Sequence, residues 1–217
     1  QTDHELKPIY LSNVIDEALR FLRATLPSTI EIKTNLMEQE GRVIADPIQM
    51  HQVLINLCAN AGQAMEEDGG LLEVELGQCQ FTEEEMGQLF QGQKVTETKY
   101  LKLVIRDSGP GILPQNLERV FDPFFTTKDA GEGSGLGLSV VHGIVLNHGG
   151  AVRVDSEVGI GTTFTILLPQ LAMTSVQERS NEKPLMFGNG ERILFVEDEE
   201  SLAHLGEEIL GELGYSV

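Results

Sequence analysis

Three groups of residues in this 217-residue chain have types and spacing suited to a phosphorylated ligand. Asn56 and Asn60 stand four apart in a stretch of helical periodicity, so they share one face, and their amide oxygens are neutral ligands for a hard cation. Asp107-Ser108-Gly109-Pro110-Gly111 ends an apolar run in a carboxylate followed by glycines, where backbone lacking Cβ atoms lets a ligand approach an acceptor. Gly131-Glu132-Gly133-Ser134-Gly135-Leu136-Gly137-Leu138 is a glycine ladder that opens into a helix. The N–H groups at such a start lack intrahelical partners and, with the helix dipole, favour phosphate oxygens. Between the last two groups lies an aromatic-proline box, Phe121-Asp122-Pro123-Phe124-Phe125-Thr126-Thr127-Lys128. Taken singly, the glycines read as a surface loop and the asparagines as a solvated helix face. Their succession reads as a nucleotide site.

The elements that must position these groups follow from periodicity. Ser12 is placed to cap a helix carrying Val14, Ile15, Ala18, Leu19 and Leu22 inward and ending at Pro27. Ile30, Ile32, Thr34 and Leu36 alternate as a half-buried strand; 42–45 is a second short one, with Gly41 in the turn between them. Asp46-Pro47 opens the asparagine helix, a capping carboxylate followed by a residue that needs no amide hydrogen in the first turn. Its apolar stripe runs through Met50, Val53, Leu54, Leu57, Ala61 and Met65. Strands are expected at 72–76 and at 100–105, the latter running on to Asp107, with a short helix at Thr82–Glu85 between them. A helix over 136–146 turns Leu138, Val141, Ile144 and Val145 inward, and strands at 151–154 and 162–168 flank the turn Gly159-Ile160-Gly161-Thr162. Pro169 stops the last strand.

A composition of 41% hydrophobic and 23% charged residues is that of a globular protein, with length for one good-sized domain and something smaller. A formal net charge of −19 argues against a nucleic-acid groove or an anionic membrane surface as partner, and obliges a polyphosphate to arrive with a cation and meet local dipoles. Cys58 and Cys79 lack metal-ligand spacing and read as reduced thiols in a cytoplasmic segment. No apolar run is long enough to span a bilayer, and no signal peptide opens the sequence. Residues 171–190 lack periodicity and read as a linker. Arg192-Ile193-Leu194-Phe195-Val196 then has the continuous apolar character of a buried parallel strand, followed by a helix to about 213 and the start of a second strand at Tyr215.

These boxes together resemble the ATP-binding catalytic domain of bacterial sensor histidine kinases, within the gyrase, Hsp90, histidine kinase and MutL superfamily, over about residues 8–170. The resemblance implies an α+β fold of Bergerat type, a two-layer sandwich with a mixed sheet covered on one face by helices, in a domain spanning 1–170. It implies ATP and Mg²⁺ as ligands. Asp107 would accept from the adenine amino group, a bond guanine cannot make. Gly109 and Gly111 would let the backbone reach the base, and Asn60 would hold Mg²⁺ with Asn56 supporting the phosphate side. Residues 121–134 would form a lid, with Phe124 or Phe125 at its hinge and Thr127 and Lys128 near the phosphates. Gly133, Ser134, Gly135, Leu136, Gly137 and Leu138 would meet phosphate oxygens, and Thr162 would belong to a further glycine turn. Water-activating relatives carry a glutamate where this chain has Asn56, and an amide cannot take a proton at neutral pH. The resemblance therefore implies phosphoryl transfer to a positioned acceptor.

Residues 191–217 resemble the start of a response-regulator receiver domain, an incomplete α/β unit whose acidic pair Glu197 and Asp198 would bind Mg²⁺. A hybrid kinase follows, with a homodimeric parent, a dimerisation and histidine-phosphotransfer domain as partner, and its own or a cognate receiver as acceptor. A non-kinase ATPase of the same fold, or a regulatory module without kinase activity, is the alternative. His4-Glu5-Leu6-Lys7-Pro8 has the composition of a phosphoacceptor box, but its proline arrives one residue early and the first helix of the ATP domain follows at once. It reads as the trailing end of a hairpin, and the phosphoacceptor histidine is expected elsewhere.

Overall fold

The computed structural model describes residues 6–37, 41–80, 99–127 and 134–171, with a few positions beyond them, 192, 194, 210, 211 and 214–216. The chain divides into two compact units, Gln1–Ala172 and Met173–Val217. In the first, β1 (Lys7–Ile9) leads into α1 (Leu11–Thr25), followed by β2 (Ile30–Leu36), β3 (Val43–Ala45), α2 (Pro47–Ala64), β4 (Gly70–Gln80) and β5 (Lys99–Asp107). After these come α3 (Pro114–Leu117), α4 (Gly137–Asn147), β6 (Ala151–Glu157) and β7 (Gly161–Pro169).

Five strands form one mixed sheet in the order β2-β4-β5-β7-β6, with β2 and β4 parallel and the other pairs antiparallel. Alternation decides which face is covered. Leu72, Val74 and Leu76 of β4, Leu101, Leu103 and Ile105 of β5, and Phe164, Ile166 and Leu168 of β7 share one core with the apolar stripes of α1, α2 and α4. Each such side chain contributes about 1.5–3 kcal/mol through burial. The period of two on β5 continues past Ile105 to Asp107, and on β7 past Phe164 to Thr162, so at one end of the sheet the apolar row turns polar. Register completes that row: Leu72 faces Asp107, Asp107 faces Thr162, and Thr162 faces Ser156.

The opening of α2 follows from its cap. The Asp46 side chain accepts from Ile48 N at 2.8 Å and Gln49 N at 3.4 Å, and Pro47 takes the first helical position. The Asp46 amide in turn donates to His148 Nε2 at 3.1 Å, and His148 Nδ1–H donates to the Ile144 carbonyl at 2.7 Å. Because Nε2 must accept, the ring is the neutral Nδ1–H tautomer, and it ties the end of α4 to the start of α2. His148→Ala is expected to cost about 1–3 kcal/mol, the penalty for a buried amide left without its acceptor, measurable by urea unfolding.

Two local expectations change. Ser12 does not cap α1: Tyr10 holds the N-cap position in an extended conformation without a side-chain cap bond, because β1 runs straight into the helix and places Ser12 inside its first turn. Gly41 lies between β2 and β3, which do not pair with each other: β3 pairs with β1 and β2 with β4. Strand β4 is longer at both ends than 72–76, its polar far end Gln78–Gln80 held by pairing with Lys99–Leu101. The helix expected at Thr82–Glu85, the segment 172–191 and most of 192–217 lie outside the described residues. In the second unit Arg192 and Ser216 form a parallel bridge.

Burial pushes the Cys58 thiol up to about 12, and burial also raises that of Cys79, with Lys102 working in the opposite direction. At pH 8 alkylation of the folded protein should therefore leave Cys58 unmodified until denaturant is added. Mass spectrometry that finds Cys58 modified first would contradict this packing.

Candidate nucleotide-binding site

Above the polar row lies a cavity of about 570 Å³, between α2, the start of α4 and the ends of β5 and β7. Helix α2 supplies one wall. Leu57 points into the core and Ala61 lies between core and cavity, while Asn56, Asn60 and Gln63, spaced four and three apart, face the cavity. Asn56 Nδ2 donates to the Gly137 carbonyl at 3.3 Å, which locks the two helices together and leaves its oxygen directed elsewhere.

Asp107 forms part of the floor. It is 6% exposed, and its Oδ1 accepts from Gly109 N at 2.9 Å and Thr162 N at 3.3 Å, so both bonds fall on one oxygen and Oδ2 is left for a ligand. Burial raises its pKa from the ordinary value of 3.8, and the two backbone hydrogen bonds partly offset that. Gly111 and Thr162 line the cavity, whereas Gly109 serves it through the amide that fixes Asp107.

The far wall is the start of α4. This helix has no side-chain cap at Leu136 and no acidic residue in its first turn. Ser134, Gly135, Gly137 and Leu138 line the cavity, while Leu136 does not and is 38% exposed. The Leu136 amide donates to Ser134 Oγ at 3.3 Å.

The aromatic box is divided. Phe121 stacks on His142 at 5.2 Å and meets the Phe164 ring edge-on at 6.5 Å, fastening the box to α4 and β7. Phe125 lines the cavity with Arg119 lying 4.7 Å over its ring, and Thr127 lines it too. Phe124 does not: its ring is 74% exposed and its backbone takes a φ of 66°, rare for an aromatic residue. Its amide donates to the Gly135 carbonyl at 2.9 Å. Gly135, with a φ of 66°, accepts this neighbour only because a Cβ there would lie 2.7 Å from both Phe124 Cα and O. Lys128, Gly133, Glu197, Asp198 and His4 lie outside the described residues.

Gln63 also lines the cavity, one turn on from Asn56 and Asn60, although its residue type alone did not single it out. Nor did residue type single out the apolar wall of Ile112, Val120 and Phe164, whose types are those of any core. Among the described residues lining the cavity Asp107 is the one ionisable group, so none of them offers a second carboxylate or an imidazole to take a proton from water. Among the described residues no group of three or more His, Cys, Asp or Glu side chains gathers to hold a metal ion. A divalent cation here would depend on amide oxygens and on oxygens brought by the ligand.

A mixed sheet with helices on one face, a buried carboxylate at the sheet end and an uncapped helix start opposite it define a nucleotide-binding ATPase fold. The profile of the histidine kinase-, DNA gyrase B- and HSP90-like ATPases matches residues 45–172, and the chain belongs to that family. It is similar to the sensor kinase CckA of Brucella abortus, 35% identical over 95% of this chain and 22% of CckA. Sensor histidine kinase ZraS of Salmonella typhimurium is 36% identical over 77% of this chain and 32% of ZraS. The chain thus spans a third or less of these curated relatives. Among solved structures, a mycobacterial sensor histidine kinase, MprB, superposes with a TM-score of 0.59 at 32% identity, covering 76% of this chain and 97% of that one.

Proposed function

We propose that this chain is the ATP-binding catalytic domain of a two-component sensor histidine kinase of hybrid type. It transfers the γ-phosphoryl group of Mg-ATP to a histidine on a dimerisation domain outside residues 1–217. The observation that supports this reading is the cavity itself: a carboxylate fixed at one end, uncapped helix-start amides at the other, and among the described lining residues no further side chain able to activate water. Asp107 Oδ2 takes the adenine amino group, and the amides around Gly135–Leu138 take phosphate oxygens. Asn60 holds the cation, Asn56 braces it, and Phe125 and Thr127 close the phosphate side. Bound Mg²⁺ neutralises charge that builds on the β- and γ-phosphates during transfer. Lys128 and Gly133 act from the segment between Thr127 and Ser134, and Phe124 is a hinge residue.

The bond from the γ-phosphorus to the β,γ-bridging oxygen breaks and ADP leaves as the lone pair of one imidazole nitrogen bonds the phosphorus, and the other ring nitrogen gives up its proton to water. With no second base among the described lining residues, the chain relies on positioning and charge stabilisation. Residues 191–217 would be the start of a receiver, with Glu197 and Asp198 its Mg²⁺ ligands; the parallel bridge between Arg192 and Ser216 supports a strand-helix-strand unit. The parent is a homodimer whose partners are its phosphotransfer domain and a receiver, and this segment lies in the cytoplasm. No described helix is long and apolar enough to cross a membrane.

Incubating the chain with γ-labelled Mg-ATP, alone and with the parent's histidine-bearing dimerisation domain, tests the reading. Acid-labile, base-stable label should appear on the added domain and not on the chain alone. Steady phosphate release without an acceptor would instead support a non-kinase ATPase.

Ionisation of Asp107 adds a pH signature with two opposed signs. Its raised folded pKa means that the folded chain binds this proton more tightly than the unfolded one. Stability from this group therefore falls as pH rises from the ordinary 3.8 through the raised value, while ATP affinity grows over the same window as Oδ2 becomes an anionic acceptor. Urea midpoints of the parent minus those of Asp107→Asn isolate the first effect, and nucleotide titrations at several pH values read the second.

A further inference from the structure

A net charge of −19 sets the chain against the polyphosphate proposed for its cavity, and among the described residues lining that cavity none is cationic. A cation stands one ring outside it. From Leu113 to Phe125 the backbone repeats a bond of three-residue span: Asn116 N to Leu113 O at 2.8 Å, Arg119 N to Asn116 O at 2.9 Å, Asp122 N to Arg119 O at 2.9 Å and Phe125 N to Asp122 O at 3.2 Å. Side chains at that spacing stand nearly in line, so Arg119, Asp122 and Phe125 form one column. The guanidinium carbon of Arg119 lies 4.7 Å over the Phe125 ring, and its Nε is 3.7 Å from Asp122 Oδ2. Phe125 lines the cavity, whereas Arg119 and Asp122 do not. An ion pair between side chains 63% and 58% exposed is weak, so the guanidinium stays available to a third charge.

We infer that Arg119 is a positioning residue for the anionic part of the ligand, a cation held at the cavity wall by the ring of Phe125. A ligand touching that ring lies within roughly 10 Å of the guanidinium, one contact distance beyond the ring added to the 4.7 Å above it. This is about one screening length at 0.1 M salt, so the charge is felt without a direct bond. The ring holds in place a side chain that would otherwise spread its charge over the surface, and it keeps water from one face of the guanidinium. The inference rests on the nucleotide reading of the cavity and adds to it a residue that lining alone does not reveal.

Calorimetry with Mg-ATP on the full chain, at about 0.05 M and about 0.5 M salt, tests it. Arg119→Gln should bind about threefold more weakly than the parent at the lower salt and close to the parent at the higher. Arg119→Lys keeps the cation and should stay near the parent at both. A merely structural role for the side chain would give the same loss at either salt. Placement is read in a Phe125→Leu background, where Arg119→Gln should have less than half its effect because the platform is gone, whereas a charge acting from anywhere on the surface would have the same effect in both backgrounds. No loss in Arg119→Gln, a loss that ignores salt, one that lysine fails to rescue, or one that is equal with and without the ring overturns the inference. A parent that does not bind Mg-ATP overturns the reading of the cavity itself.

Discussion

Asp107→Asn should weaken ATP binding by about a hundredfold and turn the site towards 6-oxo purines. Both backbone amides that fix this side chain reach Oδ1, Gly109 N at 2.9 Å and Thr162 N at 3.3 Å. An asparagine must keep its carbonyl oxygen there to satisfy them, which puts its NH₂ group where Oδ2 stood. The base then meets a donor in place of an anionic acceptor. Loss of one charge-assisted bond is worth about 1.5–3 kcal/mol, roughly ten- to 150-fold, and the facing donors push the result to the upper end. The fold should survive, because shape and the two amide bonds are kept and an uncharged group replaces a buried carboxylate. Calorimetry with ATP and inosine triphosphate reads the switch, and a variant that binds ATP like the parent would remove base recognition from this residue.

Gly161→Ala should be the most damaging single substitution to stability around the site, at about 3–5 kcal/mol. Gly161 has a φ of 141°, and an added Cβ would press on the Asp107 carbonyl oxygen, with Asp107 C at 2.9 Å and Ser108 Cα at 3.1 Å. Every one of those atoms is main chain, so no rotamer change relieves the contact. The strand pair that carries Asp107 must separate. A melting temperature lowered by about 10 °C or more is expected. Gly77→Ala makes the same change in β4 where a Cβ would meet nothing within 4 Å, and should leave stability close to that of the parent.

Much of the site was readable from residue types because its parts are local. Asp46-Pro47 is a complete helix opening within two residues, and the split of α2 into an apolar stripe and an amide face follows from periodicity alone. The stop of β5 at Asp107 was equally visible, as a carboxylate closing an apolar run. Strand β1 was not, because Lys7–Ile9 has no period of its own and pairs only where the later Val43–Ala45 comes alongside. The four-residue α3 is too short to leave a pattern. Ser156 lies beyond the strand expected at 151–154; only the pairing of β6 with β7 puts it against Thr162. The division of the aromatic box, with Phe125 on the cavity and Phe124 turned to solvent, depends on a positive φ that no neighbouring residue type announces. Chemistry carried by one turn or one helix face was legible, and chemistry assembled by long-range register was not.

Hydrogen exchange with and without a non-hydrolysable Mg-ATP analogue tests the central claim most directly, because it locates the ligand without assuming a reaction. Slowed exchange is predicted at the turn 107–112, at the helix start 134–138 and at Thr162, with amides of β1 and β3 unaffected. Binding that leaves those segments unchanged, or protects the sheet edge at β2 instead, would contradict the assignment of this cavity to the nucleotide.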